Sequence, residues 1–195
     1  MTGRVGWHPE ALVDRRLVEL AQGGDRDAFA GLVHAVGDRL YAVAFRILRD
    51  PHVAQDAYQE AMLAAWKQLP FLRDPDRFEP WIRRILVHAC YTESRKRTRW
   101  STNVRVLDIN EDFAGDGGHA IHDRERLELA FRDLTLEQRA IFVLHHHVGL
   151  PLVEIAATLG IPAGTARSRL HYATLAIRRA LEAGDATLAP QEGVA

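Results

Sequence analysis

Cysteine is almost absent from this sequence: Cys90 is the only one among 195 residues. A single thiol excludes an internal disulfide and any metal site built from several thiolates. No segment approaches the roughly 18 consecutive apolar residues that a membrane-spanning helix requires, and the N-terminus lacks the apolar core of a secretory signal. These absences predict a cytoplasmic chain that does not insert into a membrane.

Motifs of catalysis and cofactor binding are also missing. There is no Gly-x-Ser-x-Gly elbow, no phosphate-binding Walker loop and no dinucleotide fingerprint. The run His145–His147 is the only dense group of potential metal ligands, but adjacent helical positions point about 100° apart and cannot converge on one ion. We therefore predict no enzymatic activity, no cofactor and no metal, and we interpret Cys90 as a small packed residue.

What the sequence does contain is helical periodicity and segregated charge. The composition, 47% hydrophobic and 26% charged, is that of a soluble globular protein. The net charge of −1 conceals basic residues concentrated in a few helices and an acidic stretch from Asp108 to Glu128. Apolar residues recur at helical spacing along the first half of the chain, as in Phe29, Leu32, Val33, Val36, Leu40, Ala44 and Leu48. The pattern predicts an all-α fold.

Breaks in this periodicity divide the chain into two small helical domains. The first domain is predicted over residues 10–100 and the second over 123–183, with a C-terminal tail over 184–195. Residues 101–122 are rich in glycine, polar residues and acids, and this composition predicts a flexible acidic linker. The acids of this linker are Asp108, Glu111, Asp112 and Asp116.

Capping signals place several of the helix ends. Asp50 followed by Pro51 predicts a helix start, with the aspartate as N-cap and the proline at the first helical position. A long helix is expected from about Arg77 to Arg99. In the second domain, Thr135 and Gln138 form the pattern of a capping box.

The segment from Pro151 to Leu181 predicts a helix-turn-helix, with a short helix, a turn at Gly160 and a longer second helix. The apolar residues of the second helix leave an outer face that can reach phosphates and base edges. Its members are Thr165, Arg167, Ser168, Arg169 and Tyr172. Taken alone, such a basic helix is as well explained by a solvated surface.

The motif around that helix carries a family resemblance. "EQRAIFVLHHHVGLPLVEIAATLGIPAGTARSRLHYA" resembles region four of the bacterial extracytoplasmic-function (ECF) sigma factors, which reads the −35 promoter element. The family commonly has Gly-Thr-Val-Lys-Ser-Arg-Leu-His-Arg-Ala, and this chain departs from it at Ala166, Arg167 and Tyr172.

The first domain resembles region two of the same family. "DAYQEAMLAAWKQL" is similar to the segment that docks on the clamp helices of the polymerase β′ subunit. The resemblance assigns core polymerase binding to a polar face with an aromatic anchor, formed by Asp56, Gln59, Glu60, Leu63 and Trp66. An ordinary amphipathic helix would also explain this stretch if it stood alone.

"FEPWIRRILVHACYTESRKRTR" is similar to the family segment that melts and captures the −10 element. Basic groups that follow phosphates, with aromatic groups that stack on bases, suit single-strand capture. The residues implied are Arg84, His88, Tyr91, Thr92, Arg95, Lys96 and Arg99. His88 replaces the usual asparagine and Thr92 the usual aspartate, whereas Trp81 is expected in the core.

The resemblance covers about Asp14–Arg99 and Glu125–Leu181. It implies an initiation factor that binds core RNA polymerase, through the β′ clamp helices and the β flap, and promoter DNA. It leaves open whether an anti-sigma factor regulates the chain. The alternatives are a stand-alone helix-turn-helix regulator, which would bind a palindromic operator without polymerase, and an interaction protein that mimics an anti-sigma factor.

Overall fold

A computed structural model describes residues 13–103 and 129–187, which we call the first and second blocks. Within these two ranges there is no strand, and the predicted all-α fold is confirmed. The helices are α1 (Arg15–Gln22), α2 (Arg26–Leu48), α3 (Pro51–Gln68), α4 (Phe78–Asn103), α5 (Leu136–Phe142), α6 (Leu152–Leu159) and α7 (Ala163–Thr187). Short 3-10 turns cover Leu69–Phe71 and Pro75–Arg77, a π-helical turn covers Val143–His147, and residues 129–132 are also helical.

The segment predicted as a linker lies mostly outside the described residues. Helix α4 continues to Asn103, so residues 101–103 of the predicted linker are helical. The remainder of the predicted linker, which holds Asp108, Glu111, Asp112 and Asp116, is outside the description, as are the predicted domain ends at 10–12 and 123–128 and the tail beyond 187.

The predicted capping residues close the helix ends as expected. The Asp50 carboxylate accepts a hydrogen bond from the Val53 backbone amide at 2.9 Å, with Pro51 opening α3. In α5 the Thr135 hydroxyl accepts from the Gln138 amide, and the Gln138 side chain accepts from the Thr135 amide, which completes the capping box. Both pairs satisfy backbone donors that the first turn of a helix leaves without partners.

The first block buries one stripe of each long helix. The apolar stripe of α2 is confirmed, with Leu32 and Leu40 completely buried. Helix α3 faces it with four alanines, and these small residues let the helix backbones approach closely. They are Ala54, Ala57, Ala61 and Ala65, all without solvent exposure.

Cys90 of α4 is part of this core. Its side chain is fully buried, and burial raises the pKa of the thiol to about 12. Its interpretation as a small packed residue is confirmed, since a thiol that stays protonated does not act as a nucleophile.

The second block folds as the predicted helix-turn-helix. Helix α6 ends at Gly160, whose φ of +65° is a left-handed conformation that glycine adopts without strain. Helix α7 then packs on α5 and α6, with Ala166 and Ala173 of α7 and Ile155 of α6 all buried. This packing fixes which face of α7 stays accessible.

The two blocks also pack against each other. Helix α2 contacts α5 and the π-helical turn, and α4 contacts α6, so that the buried apolar residues of both blocks form one continuous core. Helix α3 packs on α2 and α4 inside the first block. Its opposite side remains exposed to solvent.

Candidate nucleic-acid interface

The outer side of α3 forms the polar face that the sequence predicts. Asp56, Gln59 and Glu60 are exposed there, and Leu63 is 55% exposed among them. These residues share one side because the four alanines occupy the other. Trp66 is half-buried, with its ring 4.9 Å from that of Phe29 in an edge-on contact. The structure therefore places Asp56, Gln59, Glu60 and Leu63 together on one exposed face. The Trp66 side chain packs partly between α2 and α3.

A basic stripe runs along the outside of α4. Five of the residues predicted to contact the −10 element are exposed in one line along this helix: Arg84, His88, Thr92, Arg95 and Arg99. The Thr92 hydroxyl donates to the His88 carbonyl of its own helix at 3.0 Å. It can still accept a hydrogen bond from a ligand, since a hydroxyl oxygen has two lone pairs.

Lys96 differs from the rest of the predicted −10 residues because acids surround it. Its ammonium donates to the Glu93 carboxylate at 2.6 Å. This hydrogen bond raises the pKa of Lys96, and the charges of Glu60 and Asp56 add to the effect. Lys96 thus lies where the acidic face of α3 meets the basic stripe of α4.

A cleft of about 500 Å³ lies between α3 and α4 beside the basic stripe. Arg84 and His88 line it from α4, and Glu60 lines it from α3. Trp81, expected in the core, is half-buried, packs 5.8 Å from the Phe78 ring and forms part of the wall. The cleft therefore offers cations, an imidazole and an indole on one surface.

Tyr91 lies on the other flank of α4, toward the second block. It is half-buried, and burial together with the nearby Glu137 raises the pKa of its hydroxyl to about 12, while Arg169 acts in the opposite sense. A cleft of about 370 Å³ separates this part of α4 from α5, with Arg95 and Leu136 on its two sides. Tyr91 thus lines this cleft together with Arg95 and Arg99 of the stripe.

The outer face of α7 is accessible only in part. Arg167, Ser168 and Tyr172 are exposed, the tyrosine by 60%, whereas Thr165 and Arg169 are half-buried. The Ser168 hydroxyl donates to the Thr165 carbonyl at 3.0 Å. All five predicted −35 residues lie on one helix, and the charge of Arg169 acts on Tyr91 of the first block.

The three consecutive histidines lie in the π-helical turn. His145 Nδ1 is 3.0 Å from the Leu150 carbonyl. Burial lowers the pKa of His147, and the neighbouring Arg46 of α2 lowers it further. Across the described ranges, no three side chains of the metal-binding types gather into a site.

Two contacts near the stripe had no signal in the sequence. Arg97 pairs with the carboxylate of Asp50, and this ties the last turns of α4 to the first turn of α3. Arg83 is only 4% exposed on the side of α4 that faces the second block. Sequence periodicity identifies neither, because each depends on how two helices distant in the sequence meet.

No helix in the described part of the chain is both long and apolar enough to cross a membrane. A helix-turn-helix with a basic outer face, joined to a helical block that carries a basic stripe, is the arrangement typical of a DNA-binding protein.

Comparison with known proteins identifies the family. Residues 32–100 match the family model for sigma-70 region 2, and residues 130–179 match that for sigma-70 region 4. The RNA polymerase sigma-H factor of Pseudomonas aeruginosa is 32% identical over 87% of this chain and 94% of its own length. The ECF RNA polymerase sigma-E factor of Escherichia coli is 31% identical over 86% of this chain and 94% of its own length.

A solved structure of CnrH in complex with the cytosolic domain of CnrY is similar over 87% of this chain and 97% of that chain, with 26% identity and a TM-score of 0.63. The chain therefore belongs to the extracytoplasmic-function group of the sigma-70 family of RNA polymerase sigma factors. It is a promoter-specific transcription initiation factor.

Proposed function

We propose that the first block docks on core RNA polymerase through the outer face of α3 and captures the melted −10 strand along α4, while α7 of the second block reads the −35 duplex. The observation that carries this proposal is the division of charge in the first block. Acids cluster on the outside of α3 and cations on the outside of α4, so that one block presents a protein-docking face beside a DNA-binding face.

The docking face suits a basic partner helix. Asp56 and Glu60 are exposed carboxylates one helical turn apart, and Leu63 adds an apolar contact between charged groups. Complementary charge at such a surface steers association and disfavours wrong partners. The partner in this proposal is the β′ clamp, whose arginines would face these acids.

The basic stripe suits a single strand. Arg84, Arg95 and Arg99 of α4 are spread over about 22 Å of the helix axis, at 1.5 Å per residue, so they can follow successive phosphates. His88 and Trp81 offer planar rings at the neighbouring cleft, and stacking is worth about 1–3 kcal/mol per base. Lys96 is already paired with Glu93. In this assignment its positive charge attracts the strand electrostatically, and it makes no direct contact with a phosphate.

In this proposal α7 reads the −35 element. Arg167, Ser168 and Tyr172 are the exposed groups of this helix, and Arg169 is half-buried. Arginine can donate a bidentate pair to guanine or clamp a phosphate. The second block would also contact the β flap.

In this role the chain recruits and positions, and the polymerase performs the chemistry. We place it in the cytoplasm, where the polymerase acts. An anti-sigma protein is a further candidate partner, since the solved relative CnrH is in complex with the cytosolic domain of CnrY. We propose domain limits of 10–100 and 123–183 with 101–122 as the linker.

The docking assignment is tested with Glu60→Arg. Reversing this exposed charge should weaken association with core polymerase by roughly tenfold, or about 1.4 kcal/mol. Asp38→Arg on α2 is the matched control, because it makes the same charge change at an exposed position of another helix. Equal core affinity of wild type and Glu60→Arg in a titration would remove α3 as the docking surface.

The DNA assignments are tested by run-off transcription with core polymerase. The wild-type chain should direct initiation from a defined start, and Arg95→Ala with Arg99→Ala should slow opening of the −10 region, as seen by permanganate footprinting. Symmetric binding to a palindromic duplex without polymerase would instead favour a stand-alone regulator. Normal opening by the double variant would show that the stripe does not hold the melted strand.

A further inference from the structure

Arginines from both blocks meet at the C-terminal end of α2. Arg46 lies in the last turn of this helix and Arg49 directly after it, where α2 packs against α5 and the π-helical turn. Arg132 and Arg139 come from the second block, the first from the helical residues 129–132 and the second from α5. None of these four residues belongs to the surfaces assigned above to the polymerase or to the promoter.

The four positive charges are close enough to act on one another. The Arg49 guanidinium lies 5.7 Å from the centre of the Phe131 ring, on the second block. Burial lowers the pKa of Arg49, and the charges of Arg139, Arg132 and Arg46 each lower it further. Like charges held together in a partly desolvated place repel one another. An anion bound among them would relieve this repulsion.

Arg139 has a donor whose acceptor the described residues do not supply. Its Nε is buried and has no hydrogen-bond partner within residues 13–103 and 129–187. Burial lowers the pKa of Arg139, and the Glu137 carboxylate opposes this effect. Because nearly all buried donors in folded proteins are paired, the arrangement favours an acceptor that comes from outside the chain.

The backbone at Arg49 is also unusual. Its φ of +60° is left-handed, and no other non-glycine residue of the described ranges has a positive φ. Glycine is the residue most often found in this conformation at a helix C-terminus, since a side chain makes it less favourable. The position therefore carries a guanidinium at the junction at some cost to the backbone.

The chemistry of the cluster favours a phosphate ligand. A guanidinium can donate two parallel hydrogen bonds to a phosphate, and it is less strongly hydrated than an ammonium, so it loses less on partial burial. Four cations in one place suit an anion that carries several charges in a small volume. Linked phosphate groups meet this requirement, whereas chloride and sulfate carry less charge.

We propose that this cluster is a binding site for a multiply charged phosphate anion, such as the diphosphate or triphosphate group of a small molecule, held between the end of α2 and the second block. Arg49 and Arg139 donate to its oxygens from the inner side, and the exposed Arg132 contacts it from the solvent side. Arg46 donates to the Ala42 carbonyl of its own helix at 3.2 Å, and its charge attracts the anion.

The first test titrates the full-length chain with sodium pyrophosphate at constant ionic strength, with sodium sulfate as the comparison anion. Pyrophosphate at about a hundred times its dissociation constant should raise the melting temperature by about 5–10 °C, because it binds only the folded chain. Sulfate should have a much smaller effect. Equal shifts with the two salts would show a general salt effect and would overturn the proposal.

The second test uses Arg139→Met, which keeps an unbranched side chain and removes the charge and the buried donor. Isothermal titration calorimetry should show a fall of about tenfold or more in pyrophosphate affinity, as expected for the loss of a hydrogen bond to a charged group. Without the anion, the variant should melt at or above the temperature of wild type, because one repelling cation is gone. Saturating pyrophosphate should reverse this order.

Arg26→Met is the matched control, since it makes the same substitution at an exposed position near the other end of α2, and it should leave the affinity unchanged. If circular dichroism shows that Arg139→Met unfolds, Arg132→Met at the exposed edge replaces it with the same expected loss of affinity. Wild-type affinity in the folded variant, or an equal loss in Arg26→Met, would overturn the site. A short polyglutamate peptide that binds as tightly as pyrophosphate would overturn the phosphate assignment and favour an acidic protein segment.

Discussion

Asp50 links α3 to α4, and the free-energy cost of replacing it follows from its two contacts. Its carboxylate caps α3 through the Val53 amide and pairs with Arg97 of α4. Asp50→Ala removes a cap worth about 1 kcal/mol and a partly exposed ion pair worth about 0.5 kcal/mol. The sum of about 1.5 kcal/mol should lower the melting temperature by about 3–6 °C if the chain melts as one unit.

Thermal denaturation followed by circular dichroism measures this loss of stability. The Asp50→Asn variant separates the contribution of the helix cap from that of the ion pair. Asparagine keeps the cap and loses only the charge, so Asp50→Asn should cost about 0.5 kcal/mol. Arg97→Ala should cost a similar amount alone and almost nothing when added to Asp50→Asn, because the pair is already broken. The reasoning fails if the two aspartate variants are equally unstable, or if Arg97→Ala and Asp50→Asn are additive.

The same residue predicts a dependence on pH. Burial alone would raise the pKa of Asp50, but the Val53 amide and Arg97 outweigh it and lower the pKa below its ordinary 3.8. Stability from this carboxylate is therefore present above about pH 4 and is lost as the pH falls through the lower folded-state value. Wild type should lose stability more steeply than Asp50→Ala in that range.

Three further predictions concern the second block and the core. The pKa of His147 is lowered below 6.5, so the unfolded chain binds the extra proton first and stability should fall as the pH drops below about 6.5; calorimetry should show a flatter profile for His147→Gln than for wild type or for a variant of the exposed His34. Thr135→Ala should cost about 1 kcal/mol in urea denaturation and Thr135→Ser much less, since serine also caps; equal costs would contradict the capping box. Cys90, fully buried with its thiol pKa near 12, should react with Ellman's reagent only at the rate of unfolding, and rapid reaction of the native chain would contradict its burial.

Much of the secondary structure could be predicted because its causes are local. Asp50 with Pro51 and Thr135 with Gln138 satisfy backbone groups within one turn, so four adjacent residues contain the whole interaction. The apolar stripe of α2 follows from the 3.6-residue period alone. The left-handed turn at Gly160 is similarly expected from glycine between two helical patterns.

The candidate site was predicted as a set of helix faces, and its residues fall on those faces. Asp56 and Glu60 share the outer side of α3 because their spacing is one helical turn. Helical spacing does not show which neighbour covers a face, and for this reason it does not predict that Tyr91 and Arg169 are half-buried.

The sequence by itself determined the helices, their caps, their apolar sides and the order of the two blocks, since each arises from residues within a few positions of one another. Only the tertiary structure decided that Arg97 reaches Asp50, that Arg83 is buried toward α6, and that Tyr91 lies beside Glu137 and Arg169. These contacts join residues far apart in the chain, and their geometry depends on how whole helices pack. Helical periodicity fixes the direction of a side chain around its own axis but carries no information about which helix will meet it.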